Sequence, residues 1–305
     1  MTVIVGPTAV GKTAVAVEFA CGIGGEIVSA DSMAVYVGMD IGTAKPTAEQ
    51  RSRARFHVID AADPARPFGV GDFQKLAREA IDDVLARNRP VVVVGGSGLY
   101  VRAAVDGLNL GIPGRDDALR TRLAEEARRF GNARVHERLR EIDPASAERI
   151  HPNNLKRVIR AIEIYEHSGV PASALFDRDA GRERGCPTAR WFGLTMNREA
   201  LYERIESRVD DMIEAGLIEE VAGLLDTGID PGLPSMQGLG YKEIAGYLRG
   251  EYGRDQAISL LKVNTRRFAK RQYTWFRADA RVRWIDVAGH TAKKVSGIIK
   301  GELCR

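Results

Sequence analysis

The chain has 305 residues, 44 % hydrophobic and 28 % charged, with a formal net charge of +4. This is an ordinary globular mixture, long enough for one large domain or two smaller ones with a buried core. No apolar run nears the roughly 18 residues of a membrane span. Cys21, Cys186 and Cys304 are too scattered for a disulfide framework or a CxxC zinc site, and the histidines show no metal-ligand spacing with them. The N-terminus leaves no room for a signal peptide, so a cytoplasmic protein is expected. The charge is uneven. Residues 241–305 hold 15 Lys and Arg against 6 Asp and Glu, a local excess of +9, and the other 240 residues sum to −5. Such a basic segment points to a polyanionic partner or to a solvated helix face.

Val3-Ile4-Val5 reads as a first strand, and Ala14 to Phe19 can continue as helix. Between them Gly6-Pro7-Thr8-Ala9-Val10-Gly11-Lys12-Thr13 is a complete G-x-x-x-x-G-K-[ST] loop. In this strand–loop–helix setting the backbone N–H groups can turn inward on phosphate oxygens. Lys12 adds positive charge, Thr13 offers a hydroxyl to Mg2+, and the helix N-terminus favours an anion. The loop predicts a bound di- or triphosphate without saying which one.

A second strand runs from Glu26 to Ala30 and ends at Asp31-Ser32, and Phe56 to Asp60 reads as a third. Residues 72–88 are helical, with Phe73, Leu76, Ala80, Ile81, Val84 and Leu85 on one face. Pro90 to Val94 is a buried parallel strand ending in Gly95-Gly96-Ser97-Gly98. Residues 112–190 are Arg- and Glu-rich, helical and without a strong strand, as a helical insertion would be. Trp191–Met196 returns to strand character. Helices follow near 198–215, 217–227 and 254–276, with a loop at 228–240 and a late strand at 282–286. The alternation predicts an α/β fold, P-loop NTPase-like, with a mainly parallel sheet and helices on both faces. Residues 1–111 and 191–305 form its core.

Ligands of such sheets lie beyond the carboxyl ends of the strands. A nucleotide-hydrolysing enzyme usually places an Mg2+-holding Asp there. Here the fourth strand ends in glycines and Ser97, which argues against an ATP-driven motor. Asp31 can be a Mg2+ ligand, a general base or a helix cap. Residues 265–277 interleave cations with aromatics, suited to a phosphate backbone with unpaired bases or to a helix core. Lys156-Arg157-Val158-Ile159-Arg160 is a second basic knot. These residues describe a pyrophosphate-binding α/β enzyme with a polyanionic second substrate, RNA. A small-molecule kinase fits them equally.

The chain resembles the bacterial tRNA dimethylallyltransferases (tRNA isopentenyltransferases) over nearly its whole length. The matching stretches are GPTAVGKT (6–13), ADSMAVYVGMDIGTAKP (30–46), GGSGLYVRA (95–103), HPNNLKRVIRAIEIYEHSGVP (151–171), RVDDMIEAGLIEEV (208–221), SMQGLGYKE (235–243) and TRRFAKRQYTWFR (265–277). The resemblance implies transfer of a dimethylallyl group from dimethylallyl diphosphate to N6 of the adenosine on the 3′ side of the anticodon, with release of diphosphate. It makes Asp31 the catalytic base and Ser97, where many members carry Thr, the donor to the bridging oxygen. Lys12 and Arg208 become the cations on the diphosphate, beside Gly6, Thr8, Ala9, Val10, Gly11 and Thr13, with Mg2+ through Thr13. Asp31, Ser32, Met33, Ala34 and Ser97 match the segments that meet the flipped base. Lys156, Arg157, Val158, Ile159 and Arg160, with Gln237, Gly240, Tyr241 and Lys242, match further tRNA-contacting positions. The insertion is then expected to grip the anticodon stem-loop, and a monomer is the default expectation.

The chain departs from the family pattern in three places. Ala34 stands where members often carry Gln. Arg55-Phe56-His57-Val58-Ile59-Asp60 replaces the usual Pro-His-His-Leu-Ile-Asp, and Asn154 replaces an Asp. Three competitors remain: a prenyltransferase of free adenine nucleotides, a P-loop small-molecule kinase that binds ATP, and a non-catalytic RNA-binding protein. The insertion and the basic segment disfavour the first, the glycine strand end the second, and the intact set Lys12, Thr13, Asp31 and Ser97 the third.

Overall fold

A computed structural model describes residues 1–108, 116–175, 186 and 188–303. The chain divides into two compact units, Met1–Gly107 with Gly185–Arg305, and Leu108–Arg184. The boundary expected at 111/112 lies outside the described residues.

In the larger unit six parallel strands form one sheet in the order β3-β2-β4-β1-β5-β6. They are β1 (Thr2–Val5), β2 (Glu26–Ser29), β3 (Phe56–His57), β4 (Val91–Gly95), β5 (Arg190–Thr195) and β6 (Val282–Asp286). The intervening helices are α1 (Lys12–Ile23), α2 (Ala48–Arg53), α3 (Val70–Ala86) and α4 (Gly98–Val105). The smaller unit holds α5 (Asp117–Phe130), α6 (Asn132–Ile142), α7 (Pro144–Arg149) and α8 (Leu155–Ser168). After β5 come α9 (Arg198–Glu214), α10 (Leu217–Asp226), α11 (Tyr241–Leu248) and α12 (Arg254–Arg277), and α13 (Ala292–Leu303) follows β6.

The central strands are apolar along their length because both faces are covered. Ile4, Ile27, Val92, Val94, Phe192 and Leu194 join one cluster with α1, α9 and α13. The alternate residues Val3, Val5, Val28 and Val93 are also buried and face the other way, where α3 and α4 pack. Three informative strand ends, those of β2, β4 and β1, therefore stand side by side. Strand β3 is shorter than its sequence suggests. Val58 and Asp60 take φ of 61° and 52°, and the left-handed backbone ends the pairing after His57.

Where the insertion leaves the larger unit, Cys186 N–H donates to Val105 O at 3.0 Å, so the core chain closes on itself there. The smaller unit has its own apolar core, built on Leu119, Leu123, Val135, Leu139, Val158 and Ile162. Beside it Glu163 is fully buried. Burial pushes its carboxyl pKa up, but two bonds from Arg120, one from Asp116 N–H and one from Arg160 outweigh this and hold it at about 2. Among the described residues no helix is long and apolar enough to cross a membrane.

At the amino end of the sheet Glu26 is 1 % exposed and meets Arg87, Arg89 and His57, with Arg55 at 3.9 Å. The Arg87 hydrogen bonds lead in lowering its pKa from 4.5 to about 2, against its burial. Its stabilisation is full above pH 4.5 and is lost as pH falls through about 2. The cations left by Glu26→Ala reach solvent, so the cost expected is that of charged hydrogen bonds, about 1.5–3 kcal/mol. Thermal unfolding at neutral pH and at pH 3 measures it, and the deficit should shrink at the lower pH.

Candidate active site

The first wall of the site is the loop between β1 and α1. Gly6 has φ +145°, and a Cβ there would lie 2.7 Å from the Leu194 carbonyl oxygen on β5, so no other residue fits. Ala9 accepts a left-handed φ of 63°, a strain of about 1–3 kcal/mol, and its side chain packs against the core. Lys12 Nζ folds back to donate to Pro7 O at 2.7 Å. Thr13 follows it on the first turn of α1, and both line a cavity of about 380 Å³.

The second wall comes from β2 and β4. Asp31 Oδ1 accepts from Met33 N–H at 2.9 Å and from Ala34 N–H at 3.4 Å, a local turn that fixes the carboxylate. Its Oδ2 has no donor among the described residues and so keeps its lone pairs for a ligand. Ser97 Oγ accepts from Ser32 N–H at 3.2 Å and lies 3.1 Å from Ser32 Oγ. The turns after β2 and β4 are thus tied through one hydroxyl. From α9, Arg208 Nη1 donates to Thr8 Oγ1 at 3.3 Å.

Gln272 of α12 joins the walls. Its side-chain oxygen accepts from Thr8 N–H at 2.8 Å, and its amide nitrogen donates to Gly96 O at 2.9 Å. The approach is so close that a Cβ on residue 96 would stand 2.2 Å from that nitrogen. Opposite the polar walls, Ile205, Val209 and Met212 of α9 and Leu261 and Phe268 of α12 give the cavity an apolar side. It therefore offers anion donors, a free carboxylate oxygen and a greasy surface together. Among the described residues no group of three His, Cys, Asp or Glu forms a metal cage.

The family model for IPP transferase matches residues 34–279. The chain belongs to the IPP transferase family. It is 52 % identical to a tRNA dimethylallyltransferase of Desulforudis audaxviator over 94 % of this chain and 92 % of that protein. It also resembles the solved tRNA isopentenylpyrophosphate transferase of Bacillus halodurans, with 44 % identity, a TM-score of 0.72, and coverage of 99 % of this chain and 96 % of that one. A eukaryotic dimethylallyltransferase acting on tRNA shares the fold, with a TM-score of 0.82 at 24 % identity over all of this chain and 79 % of that one.

In this IPP transferase the cavity brings together Thr8, Lys12, Thr13, Asp31, Ser32, Met33, Ala34, Ser97, Arg208, Gln237 and Lys242. Gly6, Ala9 and Gly11 shape the loop by their backbones, and Val10 turns its side chain into the core. Four of the residues expected to meet RNA are buried. Tyr241 is fully buried and donates its hydroxyl to Glu220 at 2.6 Å; Gly240 is buried and donates its N–H to Glu243 at 2.9 Å. Val158 and Ile159 face the core of the smaller unit. None of these four offers a side-chain surface to a ligand. Lys156 and Arg157 are exposed and have no ion pair among the described residues, whereas Arg160 is engaged with Glu163.

Other residues hold the walls of the site in place. Glu220 accepts from the N–H groups of Asp40, Ile41 and Gly42 at 2.9, 2.8 and 3.2 Å, besides the Tyr241 hydroxyl. Lys45 is buried and donates to Tyr36 O, Asp40 and Asp60. Together they pin the long segment that follows Asp31. Of the mixed run 265–277, Phe276 is core, Phe268 lines the cavity and Trp275 is 41 % exposed.

Desolvation brings the Lys12 ammonium down to about pKa 7, with Arg208 adding to it and Asp31 opposing it. An arriving diphosphate restores full charge. Binding above pH 7 is therefore expected to take up a proton, and affinity to weaken as pH rises through that range. Calorimetry in buffers of different ionisation enthalpy measures the uptake, which Lys12→Met should remove. Gln272→Leu leaves Thr8 N–H and Gly96 O unpaired; a loss of about 1–3 kcal/mol in diphosphate affinity is expected, read by the same titration.

Proposed function

We propose that this IPP transferase moves the dimethylallyl group of dimethylallyl diphosphate onto N6 of the adenosine 3′-adjacent to the anticodon in tRNA, releasing diphosphate. The observation that carries this is the single cavity in which the phosphate loop, the free Oδ2 of Asp31 and the apolar side of α9 and α12 converge. A hydrolase or kinase needs no such apolar surface beside the phosphates. The five-carbon chain lies on it, while the loop N–H groups, Lys12 and Arg208 hold the diphosphate.

The adenine amine is a poor nucleophile because its lone pair is shared with the ring. As that pair forms the bond to the allylic carbon, the carbon–oxygen bond breaks and its electrons leave with diphosphate. Asp31 Oδ2 accepts the N6 proton, and Ser97 donates to the bridging oxygen. Lys12 and Arg208 stabilise the growing charge in a water-poor site. The target base must leave its stack to reach this point, and Ser32, Met33 and Ala34 receive it. Ala34 offers only a buried methyl where a glutamine would reach the RNA.

Thr13 has a hydroxyl on the cavity with no partner among the described residues. That suits Mg2+, which Thr13 would help to hold where the described residues form no all-protein cage. Bound there, the ion would supply countercharge to the leaving group. The helical unit, through Lys156 and Arg157, grips the anticodon stem-loop. The enzyme is read as cytoplasmic and monomeric.

The test is transfer of label from dimethylallyl diphosphate with Mg2+ to an anticodon stem-loop with consecutive adenosines, to AMP and to ATP. Label in the stem-loop alone supports the proposal. Label in AMP, or consumption of ATP without transfer, replaces it with one of the two rival activities. Asp31→Asn keeps the turn acceptor and loses the base; turnover is expected to fall by about 10²–10⁴-fold with tRNA affinity unchanged. Normal turnover would remove Asp31 from the mechanism.

A further inference from the structure

A second groove, of about 440 Å³, lies on the other flank of α12. It is lined by Met196, Asn197, Arg198, Leu201 and Tyr202 at the start of α9 and by Ala269, Lys270, Tyr273, Thr274 and Arg277 of α12. Three of these residues are cations and none is an acid.

The state of the cations sets this groove apart from the rest of the helix. On the same helix Lys262 is paired with Asp210 at 2.7 Å and Arg266 with Glu206 at 2.6 Å. Arg198, Lys270 and Arg277 have no carboxylate partner among the described residues. Rings hold two of them instead. The Arg198 guanidinium stands 5.1 Å from the centre of Tyr202, and that of Arg277 stands 5.0 Å from the centre of Tyr273. Tyr273 is itself fixed at the end of β5, its hydroxyl 3.1 Å from Thr195 Oγ1 and accepting from Met196 N–H at 3.4 Å. An arginine stacked on a ring keeps its N–H fork free while giving up much of its rotamer freedom. The groove is thus a set of positioned, unneutralised donors, which costs self-repulsion unless an anion comes to it.

The shape favours a row of anions over a single one. Lys270, Thr274 and Arg277 fall at i, i+4 and i+7 on one helix face, and seven residues of helix rise about 10 Å. The neighbouring face of the same helix, through Phe268, Arg271 and Gln272, lines the catalytic cavity. A nucleic-acid strand whose base enters that cavity would meet α12 next. The aromatic faces are already taken by arginines, so the groove reads phosphates and not bases.

We infer that this groove binds the phosphate backbone of the substrate RNA, with Arg198, Lys270 and Arg277 as its contacts, outside the site where the base reacts. The inference rests on RNA being the second substrate. Arg198→Gln combined with Arg277→Gln tests it by tRNA affinity across a series of salt concentrations. Each lost phosphate contact should lower the steepness of the log–log salt dependence by about 0.7–0.9. The double variant should therefore show a slope shallower by about 1.4–1.8, equally for different tRNA sequences. Dimethylallyl diphosphate affinity, and turnover at saturating RNA, should match wild type and so show that the variant is folded. An unchanged slope, with the wild-type protein binding tRNA normally, would overturn the groove alone. A wild-type protein that binds no tRNA would overturn the functional proposal, and the groove with it.

Discussion

The site depends on one side-chain amide bridging two backbone turns. The turns after β1 and β4 must leave some polar groups open to an anion and still satisfy the buried ones. Gln272 resolves this by accepting from Thr8 and donating to Gly96 at once. Neither a carboxylate nor an apolar residue at 272 can do both. With the turns set, Ser97 reaches Ser32, Ser32 leads out of Asp31, and the segment beyond Asp31 is fastened by Glu220 and Lys45. Geometry passes from one buried hydrogen bond to the next, and each link fixes the backbone that carries the next functional group.

Electrostatically the site is held short of its charge. Lys12 is partly desolvated beside Arg208, and Asp31 is the nearby countercharge for both. Two crowded cations are unfavourable in the free protein and would become favourable with a polyanion between them. On the proposed mechanism, the same carboxylate neutralises the cations before the substrate arrives and takes a proton afterwards. Stability is thus given up locally in a form that the ligand restores.

Much of this was legible in the sequence. The phosphate loop, the β2 and β4 strand ends and the helical insertion follow from glycine spacing, apolar runs and helix periodicity. Strand β3 was overread because nothing in Val58-Ile59-Asp60 signals the left-handed backbone that ends it. The resemblance carries Lys156 to Arg160 over as a block, although a helix sends such residues to opposite faces: Lys156 and Arg157 point out, and Val158 and Ile159 point in. It carries Tyr241 over with Lys242 in the same way, and Tyr241 is buried. Gln272 and Glu220 were invisible because their partners lie 264 and about 180 residues away, and a lone Gln or Glu on a helix carries no pattern.

The hydrogen bond from Cys186 to Val105 bears on how such a protein can change over time. The sheet-bearing unit is closed at the point where residues 108–184 branch off, so the branch is anchored by neighbouring ends. Lengthening or replacing a segment whose ends already meet costs little chain entropy, about 0.6 kcal/mol per doubling of length. Lineages are then free to lengthen, replace or rapidly diversify the branch while the sheet-bearing unit is inherited intact.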